Sequence, residues 1–148
     1  MLEIKKVAVL GAGVMGRAIA AHFANAGCIT YLLDRVPKNE LNRNILAENA
    51  KESLLREKPL PLFSSSLASS IRTGNFEDDF HLLAEVDWII EAVVEDEPIK
   101  RQLLTEVEKT WNGKSIISSN TSGISVNKII YDRTTSFQQH FLGTHFFN

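Results

Sequence analysis

Short apolar runs rich in β-branched residues alternate along this chain with longer stretches in which apolar positions recur every three or four residues. That alternation predicts an α/β domain, a mostly parallel sheet with helices on both faces. Residues 4–10 read as the first strand and Val14–Asn25 as the first helix, with Gly27 as its left-handed cap. Residues 29–33 form a second buried strand that ends in Asp34. A polar helical insert then runs from about Lys38 to Lys58, stopped by Pro59 and Pro61. The serine-rich segment 63–70 reads as a flexible loop. A short strand at 71–76, around a Thr73-Gly74-Asn75 turn, and a brief helix at 78–85 precede a strand at 86–94. Pro98 fits the first turn of a helix reaching Trp111 and closed by Asn112-Gly113, and two more strands occupy 115–119 and 141–146.

The first strand feeds Gly11-Ala12-Gly13-Val14-Met15-Gly16, which opens directly into the first helix. This order of elements, more than the glycines alone, is the mark of a dinucleotide-binding, Rossmann-type doubly wound fold. Gly11 makes the tight turn, Gly13 leaves room for a pyrophosphate, and Gly16 lets helix and strand pack closely. The N-terminus of the helix offers free N–H groups and the positive end of a dipole. Asp34 stands eighteen positions after Gly16, where a carboxylate accepts hydrogen bonds from the adenosine ribose and repels a 2′-phosphate. NAD is therefore favoured over NADP. Arg35 complicates that preference, since it can pair with a 2′-phosphate or lie over the adenine.

Ligands of doubly wound sheets bind beyond the carboxyl ends of the strands. Ala92 and Val93 are small and apolar enough to let a cofactor pass there, and Glu95 and Lys100 stand within reach of its nicotinamide ribose or diphosphate. Asp96 and Glu97, and in part Glu95, are equally explained as acids at a helix start. Ser118-Ser119-Asn120-Thr121-Ser122-Gly123 offers hydroxyls and an amide to a carboxamide or substrate oxygen, although turn chemistry selects the same residues. His145 lies in an apolar stretch, either as a satisfied core residue or as a catalyst.

At 148 residues the chain makes one domain, with room for a core but short for a complete dehydrogenase. A net charge of −2 gives no support for nucleic-acid binding. Its four histidines show no metal-ligand spacing, so no metal is expected, and its single cysteine, Cys28, reads as a packed core thiol. No apolar run approaches the ~20 residues of a membrane span, and no signal-peptide pattern precedes the first strand. The default expectation is a cytoplasmic protein.

GAGVMG, the EAVVE stretch with its lysine, SSNTS and the terminal GTHFFN, in that order, resemble the 3-hydroxyacyl-CoA dehydrogenases of fatty-acid β-oxidation. The KPLP, TGNFEDD and NTSGIS variants are most similar to bacterial members in which an enoyl-CoA hydratase region follows the dehydrogenase. The resemblance implies oxidation of an L-3-hydroxyacyl-CoA to a 3-ketoacyl-CoA with hydride transfer to NAD. It assigns the glycine loop to NAD, Asp34 to the adenosine ribose, and Glu95 and Lys100 to the nicotinamide half of the cofactor. Asn148 matches the asparagine of the family's HFFN motif, grouped here with the cofactor contacts, as is Asn120. Ser122 would hold the reacting oxygen and lie near the nicotinamide as a cofactor contact, and His145 would be the base, a role suited to histidine near neutral pH. The insert after the second strand would meet coenzyme A, with Ser53, Arg56 and Lys58 as candidates for its phosphates. A solvated helix surface explains those three residues as well.

The resemblance also implies a glutamate partner for the histidine and a helical C-terminal domain carrying the substrate pocket and dimer interface, neither of which lies within residues 1–148. The expectation is a chain that binds NAD but turns over poorly alone, from a parent enzyme that forms a homo-oligomer. The alternatives are another NAD(P)-dependent hydroxyacid dehydrogenase, or a non-catalytic NAD-binding module.

Overall fold

A computed structural model describes residues 3–147. Among them, strands β1 (Lys6–Leu10), β2 (Ile29–Asp34), β3 (Ile71–Asn75), β4 (Trp88–Glu91), β5 (Ile116–Ser119) and β6 (Phe141–Gly143) form one sheet. The order is β3-β2-β1-β4-β5-β6, and every neighbouring pair is parallel. The doubly wound expectation holds, with a switch point between β1 and β4.

Side-chain alternation along the strands divides the core in two. Val7 and Val9 of β1 face one layer, built with helices α1 (Val14–Asn25) and α2 (Ile45–Arg56). Ala8 and Leu10 face the other, built with α3 (Glu97–Thr110), α4 (Val126–Ile130) and α5 (Thr135–Gln139). Cys28 is buried in the first layer, and burial raises its thiol pKa. No helix among the described residues is long and apolar enough to cross a membrane.

Several element boundaries differ from those the sequence predicts. The helical insert is shorter, because Asn39 takes a left-handed φ of 66° and Asn42 holds the Asn44 N–H outside a helix. Only α2 remains, and it packs against β3 and α1 as the crossover of the sheet layer. The predicted loop at 63–70 contains a 3-10 helix, Ser65–Ser70, capped by the Ser64 hydroxyl. Thr73-Gly74-Asn75 lies within β3 and makes no turn. The brief helix before β4 is 3-10 in type, Phe80–Glu85. Helices α4 and α5, five residues each, carry too little periodicity to be read from sequence.

The register sets one row of residues across the carboxyl edge: Leu10 pairs with Glu91, Glu91 with Ser119, and Ser119 with Gly143. Directly beyond it, the chain turns into α1 through the glycine loop. Gly11 has φ +108°, and a Cβ there would stand 2.6 Å from the Ala92 carbonyl oxygen. A Cβ at Gly16 would overlap the Gly11 carbonyl, whereas one at Gly13 would meet nothing within 4 Å. Gly16→Ala should therefore force backbone apart and destabilise the fold by about 3 kcal/mol, a fall in melting temperature of roughly 10 °C. Gly13→Ala should leave the melting temperature within about 1 °C. Thermal denaturation of the two variants checks the contrast; an unaltered Gly16→Ala melt would refute this packing role.

Candidate functional site

The glycine loop closes one end of a cleft of about 1100 Å³ that opens at the switch point. Gly11, Ala12 and Gly13 form its floor with Ala92 and Val93, and Asp34 and Arg35 stand at its rim. Leu46, Phe76, Phe80, Ile99 and Leu103 supply apolar walls suited to a flat aromatic ring such as adenine. No side chain caps the N-terminus of α1 and no acid lies in its first turn, so the positive helix end is left for an anionic group. Exposed Gly13, with open space where a Cβ would stand, completes a cradle for a diphosphate.

Asp34 is held before any ligand arrives. Its Oδ2 accepts the Ala12 N–H at 2.6 Å and its Oδ1 accepts the Arg35 N–H at 2.7 Å. An ionised carboxylate has about four lone-pair directions, so acceptor capacity remains for ribose hydroxyls. The residues present therefore fit a dinucleotide whose ribose 2′-hydroxyl is free.

On the other side of β4, a polar cluster begins under the surface. Glu91 is 0 % exposed and Lys100 1 %, and Lys100 Nζ stands 2.7 Å from Glu91 Oε1. Lys100 also donates to the Val93 carbonyl at 3.3 Å and lies 3.3 Å from Glu95 Oε2. Glu95 extends from this buried cluster to the surface. Its Oε1 accepts the Thr121 hydroxyl at 2.6 Å, the Gly123 N–H at 2.8 Å and the Ser122 N–H at 3.0 Å. Burial works against the charge of Glu95, but the Thr121 hydroxyl, the Gly123 and Ser122 N–H groups and the Lys100 ammonium outweigh it. They hold the carboxyl at about 2, below its ordinary 4.5. Ser122 itself is exposed on this clamped turn.

The segment after β6 is tied to the same edge. The Thr144 N–H donates to the Ser119 carbonyl at 3.0 Å, and the Phe146 N–H donates to Asn120 Oδ1 at 2.8 Å. His145, between them, is exposed, its ring edge-to-face with Phe147 at 4.7 Å. Its reading as a core histidine is overturned, because the last strand stops at Gly143 and these two bonds turn the chain outward. The strand predicted at 86–94 likewise ends at Glu91: the Val93 N–H bonds to the Glu91 side chain, and the Val93 carbonyl receives Lys100.

The structure thus brings Gly11, Ala12, Gly13, Asp34, Arg35, Ala92 and Val93 together around one cleft. Val14 is exposed at the helix start, while Met15 lines a smaller hollow of about 230 Å³ with Phe146 and Phe147. Glu95, Asn120, Ser122 and His145 gather at the adjoining strand ends, outside the cleft lining. Lys100 is a correction to the expectation of a direct cofactor contact: its amine is buried and sequestered against Glu91 and Glu95. Ser53, Arg56 and Lys58 line neither cavity; the Ser53 hydroxyl bonds to the Asn49 carbonyl, and Arg56 pairs with Glu52. Asn148 lies outside the described residues. Sequence reasoning gave no role to Glu91 or Thr144, and for Glu91 a lone acid ending an otherwise apolar strand was the available signal. Ser119, read among the hydroxyls open to a ligand, is instead buried with its hydroxyl on Glu91.

Residues 6–148 match the family model described as the 3-hydroxyacyl-CoA dehydrogenase NAD-binding domain. A probable 3-hydroxyacyl-CoA dehydrogenase of Bacillus subtilis is 47% identical across 99% of this chain, which spans 20% of that protein. One from Deinococcus radiodurans is 46% identical across 99% of the chain, here 42% of the relative's length. The crystal structure of 3-hydroxybutyryl-CoA dehydrogenase from Escherichia coli superimposes with a TM-score of 0.80 at 25% identity, over 99% of this chain and 30% of that one. The glycine loop, the carboxylate at its rim and these matches agree: the chain belongs to the 3-hydroxyacyl-CoA dehydrogenase family, as its NAD-binding domain.

Proposed function

We propose that this domain serves the oxidation of an L-3-hydroxyacyl-CoA to its 3-ketoacyl-CoA in fatty-acid β-oxidation. The observation that carries the reading is the shared carboxyl edge. The turns after the adjacent strands β5 and β6 expose the Ser122 hydroxyl and the His145 imidazole, one and two strands beyond the β1–β4 cleft. NAD, when bound, supplies the hydride acceptor. His145 takes the proton of the 3-hydroxyl as hydride leaves carbon 3, and the C–O bond becomes a carbonyl. Ser122 donates a hydrogen bond to that oxygen, aligning it for proton transfer. Glu95 sets the height of the Ser122 turn, and Asn120 and Ser119 set that of the His145 segment.

His145→Ala should slow NADH-dependent reduction of acetoacetyl-CoA by protein carrying this domain by about 10²–10⁴-fold. The loss of NADH absorbance follows the reaction, and a rate equal to that of the wild type would overturn the assignment.

Fluorescence titration should show NADH binding at least about tenfold more tightly than NADPH, as the Asp34 carboxylate at the rim requires. Equal or tighter binding of NADPH would remove Asp34 as the discriminating group.

Because the folded pKa of Glu95 lies below its ordinary 4.5, its stabilising contribution is present above that pH and disappears as pH falls toward about 2. In an NMR titration the Ser122 and Gly123 amides should move with a midpoint near that lower value. The melting-temperature gap between wild type and Glu95→Gln should narrow over the same range. An amide midpoint at the ordinary carboxylate value would show that Glu95 does not clamp the turn.

A further inference from the structure

We infer that Glu91 is a positioning residue: one buried carboxylate that fixes the Ser122 turn and the His145 segment relative to each other. The inference rests on the roles proposed above for Ser122 and His145. Glu91 ends β4 in the middle of the sheet and touches neither exposed group itself. Its Oε1 accepts Lys100 Nζ at 2.7 Å and the Val93 N–H at 2.8 Å, and its Oε2 accepts the Ser119 hydroxyl.

Two branches leave this carboxylate. The first runs through Lys100 to Glu95, whose Oε1 holds the Ser122 and Gly123 N–H groups. The second runs through Ser119, whose carbonyl accepts the Thr144 N–H, the residue before His145. The Glu91 carbonyl reinforces the second branch by accepting the Asn120 N–H at 2.8 Å, and the Asn120 side chain holds Phe146, the residue after His145. The residue after β4, Ala92, backs onto Gly11, which leaves the strand end little room to shift. A leucine would fill the same volume without the desolvation cost of a buried ion pair. It could not bind two diverging loops by directional bonds.

Amide NMR of the chain without cofactor tests the two branches separately. Lys100→Gln should shift Ser122 and Gly123 while leaving Thr144 and Phe146 in place, and Ser119→Ala should do the reverse. Glu91→Gln, which retains the shape but loses one acceptor oxygen, should shift all four. In protein carrying this domain, Glu91→Gln should lower kcat for acetoacetyl-CoA reduction by about 100-fold while the KM for NADH stays within about twofold.

Shifts confined to residues 91, 93 and 100, or a lower melting temperature with kcat unchanged, would reduce Glu91 to a stabilising role and overturn the inference. If Lys100→Gln does not fold, the comparison of Glu91→Gln with Ser119→Ala decides on its own. An inactive wild type would instead defeat the proposed reaction, and the amide pattern would still judge Glu91.

Discussion

Parallel strands that stop at a common level leave their next residues to be shaped by whatever lies beneath, and this constraint governs the chain. Leu10, Glu91, Ser119 and Gly143 form the last row of paired strand residues. Gly11, Ala92, Asn120 and Thr144 follow it, and each starts a segment that carries part of the site. At β1 the exit is a turn so close to the neighbouring strand that the Ala92 carbonyl occupies the space of a Cβ. At β5 and β6 the exits are held by bonds between the two segments, Thr144 to Ser119 and Phe146 to Asn120. The cleft and the exposed pair Ser122 and His145 are therefore consequences of one register.

The same row contains an acid where an apolar residue would be expected. A buried ion pair adds little net stability over a well-packed hydrophobic substitute, yet removing one partner costs about 3–5 kcal/mol. Glu91 and Lys100 meet that condition, since every polar atom of the pair has a protein partner. Once committed to such a pair, the fold retains both members. The cluster also carries charge outward: Lys100 is enclosed, but Glu95, beside it, is 40% exposed and meets solvent and the Ser122 turn together.

Much of this was legible in the sequence, for identifiable reasons. The glycine loop was readable because strand, turn and helix follow within a few residues, and each glycine answers a local steric demand. Asp34 was readable from its spacing to that loop. The family motifs singled out Ser122 and His145, although composition alone left His145 divided between core and catalyst. The chain turns outward after Gly143 through bonds to Ser119 and Asn120, more than twenty positions earlier, which local periodicity does not reveal. Lys100 was misjudged for a related reason: its partner Glu91 is nine residues earlier, on a different element, and only the packing of α3 against β4 buries both. The start of α2 was missed because Asn39 and Asn42 divert a segment whose composition suits a helix.

Asp34 belongs to the protein's own loop as much as to any ligand, since one of its oxygens already secures the Ala12 N–H. Cofactor preference and the order of the glycine loop are thus vested in a single carboxylate. A redesign toward the phosphorylated dinucleotide that merely exchanged this acid for a small neutral residue would strip the loop of an acceptor while removing the repulsion. The Ala12 N–H would then need a new partner, from the substituted side chain or from the incoming phosphate itself. Selectivity at this rim cannot be exchanged as an isolated part.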